Sequence, residues 1–309
     1  MNLRTLLCCA SAAIFFTSAA PGNAGSSEEN LPQAVSLLGK ELYAGTPTAA
    51  ALGKYDAAKQ AYEAAPNDPD KLIWYGRRAA YLGHYQEAIE IFSEGVEKHP
   101  RDIRILRHRG HRYISTRQFD KAIEDLSKAA RLMVGQEDQV EPDGMPNAKN
   151  IPLTTTQGNI RYHLGLAYYL KQDWETARRI FADDLGKTDN DDGIVASTHW
   201  LYMILRRMGR DQEAEALLDG IHADMNIIEN FAYHRACLFY KGEIPLESVL
   251  PEDTSGSGNA GLVYGVANWH LYNGKPGKAR EIMQGLLDGP QWAAFGYIAA
   301  EADLAAGEL

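Results

Sequence analysis

A pattern of small and aromatic residues occurs twice in succession between residues 69 and 134, at a spacing of 34 residues. The matching positions are Gly76 and Gly110, Tyr85 and Phe119, Ala88 and Ala122, Phe92 and Leu126, and Gly95 and Ala129. Small residues let two helices cross closely, and the larger side chains fill the gaps between successive helix pairs. Self-similarity at this period predicts a stacked array, because a single helix pair cannot bury its own apolar face.

The pattern continues with increasing drift on both sides of these two copies. A third copy is expected to resume at Gly165 and continue through Phe181, with a fourth over about 195–222, a degenerate fifth over 227–251 and a sixth over 265–283. Before the first copy, Pro32 is a good first-turn residue for a helix over 32–43, followed by a second helix from Gly53. A last helix over 292–306 is expected to cap the array, as terminal repeats must.

These residues resemble the tetratricopeptide repeat family, whose signature is a small residue in the first helix, an aromatic residue opening the second, an alanine after it and a closing proline. The residues that match are Gly76, Tyr85, Ala88, Phe92 and Pro100, then Gly110, Tyr113, Phe119, Ala122 and Ala129, then Gly165, Trp174, Ala177 and Phe181. The resemblance implies an all-α fold: a right-handed solenoid of about six helix pairs with a C-terminal capping helix. It also implies a concave groove that is lined by the first helix of each pair and commonly binds peptides or partner proteins. The whole chain is further similar to exported bacterial members of this family.

The N-terminal residues have the features of a signal peptide. Arg4 supplies the positive start, residues 6–16 are an apolar run of suitable length, and cleavage is expected before Gly25. The run is shorter than the roughly 20 residues of a transmembrane helix, so we expect no stable membrane insertion. The sequence predicts a signal peptide over 1–24 and an exported repeat domain, periplasmic or secreted, over 25–309. Cys237 would then be the remaining cysteine, which leaves no intramolecular disulfide.

Polar and aromatic side chains recur beside the apolar stripe of each first helix, where packing alone does not require them. Residues three or four apart on a helix share a face. The predicted groove residues are Trp74, Arg77, Arg78, Arg107, His108, His111, Asn159, Tyr162, His163, His199, Trp200 and Arg206. Arginine offers paired donors to a carboxylate, sulfate or phosphate, and Trp and Tyr offer flat faces. The alternative is that the arginines form surface ion pairs and the aromatic residues belong to the core.

The same residues bear on other kinds of site. The formal net charge of −10 argues against nucleic acid as a partner. His108 and His111 are three residues apart, but histidines from several repeats cannot reach one ion, so no metal is expected. No cofactor fingerprint and no catalytic motif occurs in the sequence.

An insertion over residues 135–157 interrupts the array after the second copy. A loop of this length inside a compact array is uncommon, and we expect it to be either a lid over the groove or disordered. The predicted function is a non-catalytic binding or scaffold module for a peptide, a partner protein or an anionic small molecule. The alternative is a hydrolase-like enzyme that uses the groove histidines and arginines under the insertion. A groove open to both rims would favour an extended peptide, whereas a closed pocket would favour a small molecule or catalysis.

Overall fold

The computed structural model describes residues 31–142, 144–250 and 257–307. The predicted signal peptide, residues 1–24, lies outside this part of the chain. Apart from one short β-hairpin and an isolated bridge, the described residues form helices and the turns between them. The all-α class predicted from the sequence is therefore confirmed.

Helix α1 (Ala49–Ala64) precedes six helix pairs, and α14 (Phe295–Ala306) follows them. We call the first helix of each pair an A-helix and the second a B-helix. The pairs are α2 (Pro69–Tyr81) with α3 (Tyr85–Lys98), α4 (Ile103–Ser115) with α5 (Phe119–Leu132), α6 (Thr156–Leu170) with α7 (Trp174–Leu185), α8 (Asp191–Arg207) with α9 (Asp211–Leu217), α10 (Phe231–Tyr240) with α11 (Leu246–Val249), and α12 (Ala260–Tyr272) with α13 (Pro276–Leu287). The fifth B-helix has one turn, as its two prolines predict.

The repeat has a direct structural cause, which is a close approach between the A-helix and the B-helix of one pair. A Cβ atom added to Gly76 would lie 2.6 Å from the ring of Phe92, and one added to Gly110 would lie 2.7 Å from Leu126 Cγ. A Cβ atom added to Gly165 would likewise lie 2.9 Å from the ring of Phe181. In all three pairs the contacted residue follows the glycine by sixteen positions. Each glycine leaves room for a large side chain of its partner helix, so the sequence period corresponds to one repeated packing contact.

The start of the described chain differs from its prediction. Residues 32–43 were expected to be helical, but strands β1 (Ala34–Val35) and β2 (Glu41–Leu42) pair there as an antiparallel hairpin. Gly39 adopts a φ of +85°, which suits glycine, and the Ser36 hydroxyl accepts hydrogen bonds from the backbone of Leu38 and Lys40. This turn chemistry closes the hairpin and outweighs the helix-start preference of Pro32.

The last helix is confirmed, but it does more than cover the end of the array. Helix α14 packs against α12, α13 and α6, and its residues 296–303 are buried. Its mostly apolar sequence explains this position, because a helix that is apolar on all sides is stable only when surrounded by protein. Among the described residues, no helix has both the length and the apolar character needed to cross a membrane.

Two acidic side chains fix α14 in place. Glu301 receives two hydrogen bonds from Arg117, at 2.9 and 2.8 Å, and the two side chains are only 1% and 3% exposed. Asp303 is bound by Arg207 of α8 and by the hydroxyl of Tyr264. Arg117 follows α4, so these bonds connect the C-terminal helix to A-helices far away in the sequence.

We expect Glu301→Gln to lower the free energy of unfolding by about 3–5 kcal/mol, because Arg117 would remain buried without its counter-charge. Urea denaturation followed by circular dichroism measures this change. Glu175→Gln serves as the control, since Glu175 pairs with Arg178 at the surface. A variant of Glu301 as stable as the Glu175 control would contradict the proposed role of the buried pair.

Candidate functional site

A cavity of about 670 Å³ lies on the inner face of the array, the side on which the A-helices carry their polar stripes. Its walls come from α4, α6, the end of α7 with the turn that follows it, α8, the start of α10, the insertion and the first residue of α14. Five of the twelve predicted groove residues line it: Arg107, His111, Asn159, Tyr162 and His163. We call this space the main cavity.

Buried charge pairs hold the walls of the main cavity in position. Arg161 of α6 donates to Asp184 at 3.0 Å, and the hydroxyl of Ser197 on α8 donates to the same carboxylate at 2.9 Å. Burial raises the pKa of Asp184, while the bonds from Ser197 and Arg161 oppose that rise. One carboxylate thus connects two neighbouring A-helices beside the cavity.

A second carboxylate shapes the mouth of the main cavity. Asp192, near the start of α8, accepts hydrogen bonds from the backbone N–H groups of Ile228, Glu229 and Asn230. The distances are 2.8, 2.8 and 2.6 Å, so both carboxylate oxygens are used. These bonds fix the segment that leads into α10 and place Glu229 on the cavity wall.

The insertion lies across the A-helices of the first two repeats. It runs from residue 133 to 155, since α5 ends at Leu132 and α6 begins at Thr156, within two residues of the predicted bounds. Arg77 donates to the carbonyl oxygen of Pro142 at 2.8 Å, and Arg78 donates to that of Gly144 at 3.1 Å. The insertion is therefore in contact with two of the arginines that the sequence predicts for the groove.

Glu141 of the insertion reaches the arginines directly. Its Oε1 lies 3.2 Å from Arg107 Nη2 and 3.7 Å from His108 Nε2, and its Oε2 accepts a bond of 3.0 Å from Asn159. A hollow of about 180 Å³, which we call the arginine hollow, lies here between Arg77, Arg107 and the insertion. The sequence-predicted Arg107, His108 and Asn159 thus converge on one carboxylate, and Arg77 lines the same hollow.

The cationic character of this region comes from arginine rather than histidine. Burial, followed by the positive charge of nearby arginines, lowers the pKa of His108 and His111 well below 6.5. Burial and Arg107 lower the pKa of His163 in the same way. Arg107 donates to His108 Nδ1 at 2.9 Å, so the proton of neutral His108 lies on Nε2, toward Glu141. At pH 7 the three imidazoles are neutral hydrogen-bonding groups.

Arg107, Arg77 and Arg112 form what we call the cationic cluster. Burial lowers the pKa of Arg107, Arg77 lowers it further, and Glu141 opposes both effects. Arg112 lies over the ring of Tyr85 at 5.0 Å, and its pKa is lowered by burial and by the same two arginines. The mutual repulsion of three guanidinium groups makes this region a favourable position for a negative charge.

The other predicted residues lie outside the main cavity. His199 and Trp200 are both fully buried, where Trp200 packs edge-on against Tyr169 and His199 lies between the rings of Tyr233 and Tyr240. These two side chains offer no surface to a ligand in this structure, because their stripe faces the next A-helix. Arg206 forms an ion pair of 2.8 Å with Asp211 at the far end of α8. Trp74 and Arg78 stack on each other beside the insertion.

Phe295 is a wall residue that the sequence reasoning missed. Its ring centroid lies 5.3 Å from that of His111, 5.5 Å from that of His163 and 6.1 Å from that of Tyr162. On its other side is a space of about 480 Å³ lined by Phe231, Tyr233 and Phe295, which we call the aromatic hollow. The signal was present in the sequence, since an apolar last helix without a polar face predicts burial against the array.

The arrangement can donate hydrogen bonds to an anion and offer flat rings beside it. Arg107 Nε is buried without a hydrogen-bond partner, although the neighbouring nitrogens of the same side chain are bonded. Among the described residues, no three His, Cys, Asp or Glu side chains come together as a metal site would require.

Comparison with known proteins gives a family match within the array. Residues 160–183, which span most of α6 and α7, match the profile of the tetratricopeptide repeat. No curated protein matches the chain.

Several solved repeat structures are similar to this chain at low sequence identity. A tetratricopeptide repeat protein from Parabacteroides merdae is 17% identical over 77% of this chain and 86% of its own, with a TM-score of 0.48. YrrB, described as a TPR protein with an unusual peptide-binding site, is 16% identical over 76% and 92%, with a TM-score of 0.44. A thermophilic TPR protein of Thermus thermophilus is 23% identical over 55% and 82%, with a TM-score of 0.39.

Buried His199 predicts a specific loss of stability in acid. Burial lowers its pKa to about 3, whereas the unfolded value is about 6.5, so the unfolded chain binds a proton first as the pH falls. The stability that neutral His199 contributes is complete above pH 6.5 and declines toward pH 3. Between pH 7 and pH 5 we expect the free energy of unfolding of wild type to fall by about 2 kcal/mol more than that of His199→Phe. Urea denaturation at both pH values measures the difference, and equal losses would contradict full burial of a neutral ring.

Proposed function

We propose that this chain, in which residues 160–183 match the tetratricopeptide repeat, is a binding module and that its ligand is a compact anion held in the main cavity. The repeat fold supports an interaction or scaffold role in general. The more specific proposal concerns where and what it binds, and it rests on how the inner face is occupied.

One observation carries the proposal: the inner face is already filled by other parts of the same chain. Phe295 of α14 packs on His111, Tyr162 and His163, and the insertion covers Arg77 and Arg107. An extended peptide needs a continuous open groove, which these two segments interrupt. The space left between them is the main cavity, whose volume of about 670 Å³ is in the range of small-molecule sites.

The charge of the ligand follows from the cationic cluster. Arg107 lines both the main cavity and the arginine hollow, and its planar fork of donors suits a carboxylate, sulfate or phosphate. The neutral imidazoles of His111 and His163 add hydrogen-bonding capacity without adding charge. The predicted signal peptide supports a further part of the proposal, that the ligand is met outside the cytoplasm.

The cavity can be tested by filling it. Ala196 of α8 is buried and lines the main cavity, so Ala196→Met should occupy part of the ligand's space. We expect compounds retained from a small-molecule extract by purified wild type to bind this variant at least about tenfold more weakly. Native mass spectrometry identifies such compounds, and titration calorimetry gives their affinities.

Two further variants make the test specific. Ala182→Met alters an exposed position on α7 and should leave binding unchanged. Arg107→Ala combined with His111→Ala removes two wall groups and should abolish binding of anions. If wild type retains no small molecule, or if the cavity-filled variant binds the same compounds equally well, the proposal is wrong.

A further inference from the structure

We infer that Glu141 occupies the place of a ligand carboxylate, and that the ligand is a small acid with an aromatic group. This inference rests on the proposed function and deepens it by naming the chemical class and by giving the insertion a role. In the structure the insertion is closed by its own carboxylate. Binding then becomes an exchange, in which the ligand acid takes the place of Glu141 on Arg107.

The geometry of the Glu141 contact is that of a replaceable partner. Glu141 meets Arg107 through one oxygen at 3.2 Å. Two other arginines of the described chain are held by two bonds to one carboxylate, Arg117 with Glu301 at 2.9 and 2.8 Å and Arg109 with Asp125 at 2.7 and 2.8 Å. A two-point contact matches the guanidinium fork better, and Arg107 Nε has no partner in the present arrangement.

The insertion is held to the array mainly by polar contacts, so its opening should cost little. At its base, Val140 and Thr155 form an isolated bridge, and Asp138 accepts from the Thr155 hydroxyl. Val140 and Ile151 are 58% and 45% exposed, so their apolar surface is not buried against the array. Segments with few buried apolar contacts open at low free-energy cost, in contrast to the buried α14.

An exchange of carboxylates also avoids the main penalty of opening. Removal of Glu141 alone would leave Arg107 buried beside Arg77 without a counter-charge, which is unfavourable. A ligand acid that arrives as Glu141 departs keeps one negative charge on the cationic cluster. Arg107 lines both the main cavity and the arginine hollow. A ligand in the main cavity therefore lies next to the contact between Arg107 and Glu141.

The aromatic part of the ligand follows from the walls that continue from this point. Arg107 and His111 are four residues apart on α4, which places them one turn apart, roughly 6 Å along the helix axis. His111, Tyr233 and Phe295 line both the main cavity and the aromatic hollow, and Phe231 at the same hollow is 61% exposed. A ring attached to the acid would therefore meet three aromatic side chains within a short distance of Arg107.

The test uses three matched probes on the full purified chain. 3-Phenylpropionate carries both the carboxylate and the ring, propionate lacks the ring, and 3-phenylpropionamide lacks the charge. We expect 3-phenylpropionate to bind at least about tenfold more tightly than either of the others in titration calorimetry. An amide that binds as well as the acid would overturn the inference. A tripeptide ending in phenylalanine, compared with its C-terminal amide, shows whether the acid can also be supplied by a peptide end.

Glu141→Gln tests the exchange. Because the competing charge is removed, we expect this variant to bind 3-phenylpropionate about tenfold more tightly than wild type while its affinity for the amide stays the same. Glu175→Gln is the matched control, since it also removes one negative charge but lies in a surface pair with Arg178 and lines none of the three spaces, so it should bind as wild type does. Unchanged or weaker acid binding by Glu141→Gln would overturn the inference.

Hydrogen exchange in wild type gives a readout that does not depend on the stability of a variant. Saturating 3-phenylpropionate should increase exchange at the Glu141 amide, which is now bonded to the carbonyl oxygen of Thr154. Protection of this amide instead would mean that the insertion closes on the ligand, contrary to the exchange. If Ala196→Met abolishes binding of extracted compounds but Glu141→Gln has no effect, the proposed function stands and this inference fails. If no compound or probe binds, both fail.

Discussion

The bond between Arg117 and Glu301 decides what kind of site this chain can have. A mostly apolar helix such as α14 can satisfy its burial in several rotations and registers, because apolar contacts are not directional. Two buried carboxylates of α14, each held by an arginine on a different part of the array, restrict the helix to one rotation and one register. Buried ion pairs add little net stability compared with apolar packing, so we interpret this pair as a determinant of position. Phe295 reaches the polar stripe only because α14 is fixed in this way.

Local and periodic features were readable from the sequence because they arise within one helix pair. The glycine at position 76 and the phenylalanine sixteen residues later contact each other directly, so a one-dimensional period reports a three-dimensional contact. The insertion was recognised by the extra length between two matching alanines, Ala122 and Ala177. The hairpin over residues 32–43 was missed because a single proline was given more weight than the Ser36 and Gly39 turn.

The site was only partly readable, since it depends on contacts between distant parts of the chain. A polar stripe on an A-helix shows that some side chains face away from the core, but not which neighbour they meet. His199 faces Tyr240 of the next A-helix, whereas His163 faces Phe295, although both follow the same pattern. The pairing of Arg107 with Glu141 is equally invisible, because neither residue has a periodic partner.

Neutral histidines give the surroundings of the main cavity a hydrogen-bonding capacity that a count of charged residues does not show. If His108, His111 and His163 were protonated, their charges would add to Arg77, Arg107 and Arg112, and the folded state would carry a large repulsion. Because burial and the nearby arginines hold these rings neutral, the imidazoles can accept as well as donate hydrogen bonds. A small acid that displaces Glu141 therefore meets a fixed positive charge at Arg107 and adaptable, uncharged groups around it. Such a division favours ligands that combine one anionic group with neutral polar or aromatic parts over ligands that carry several charges.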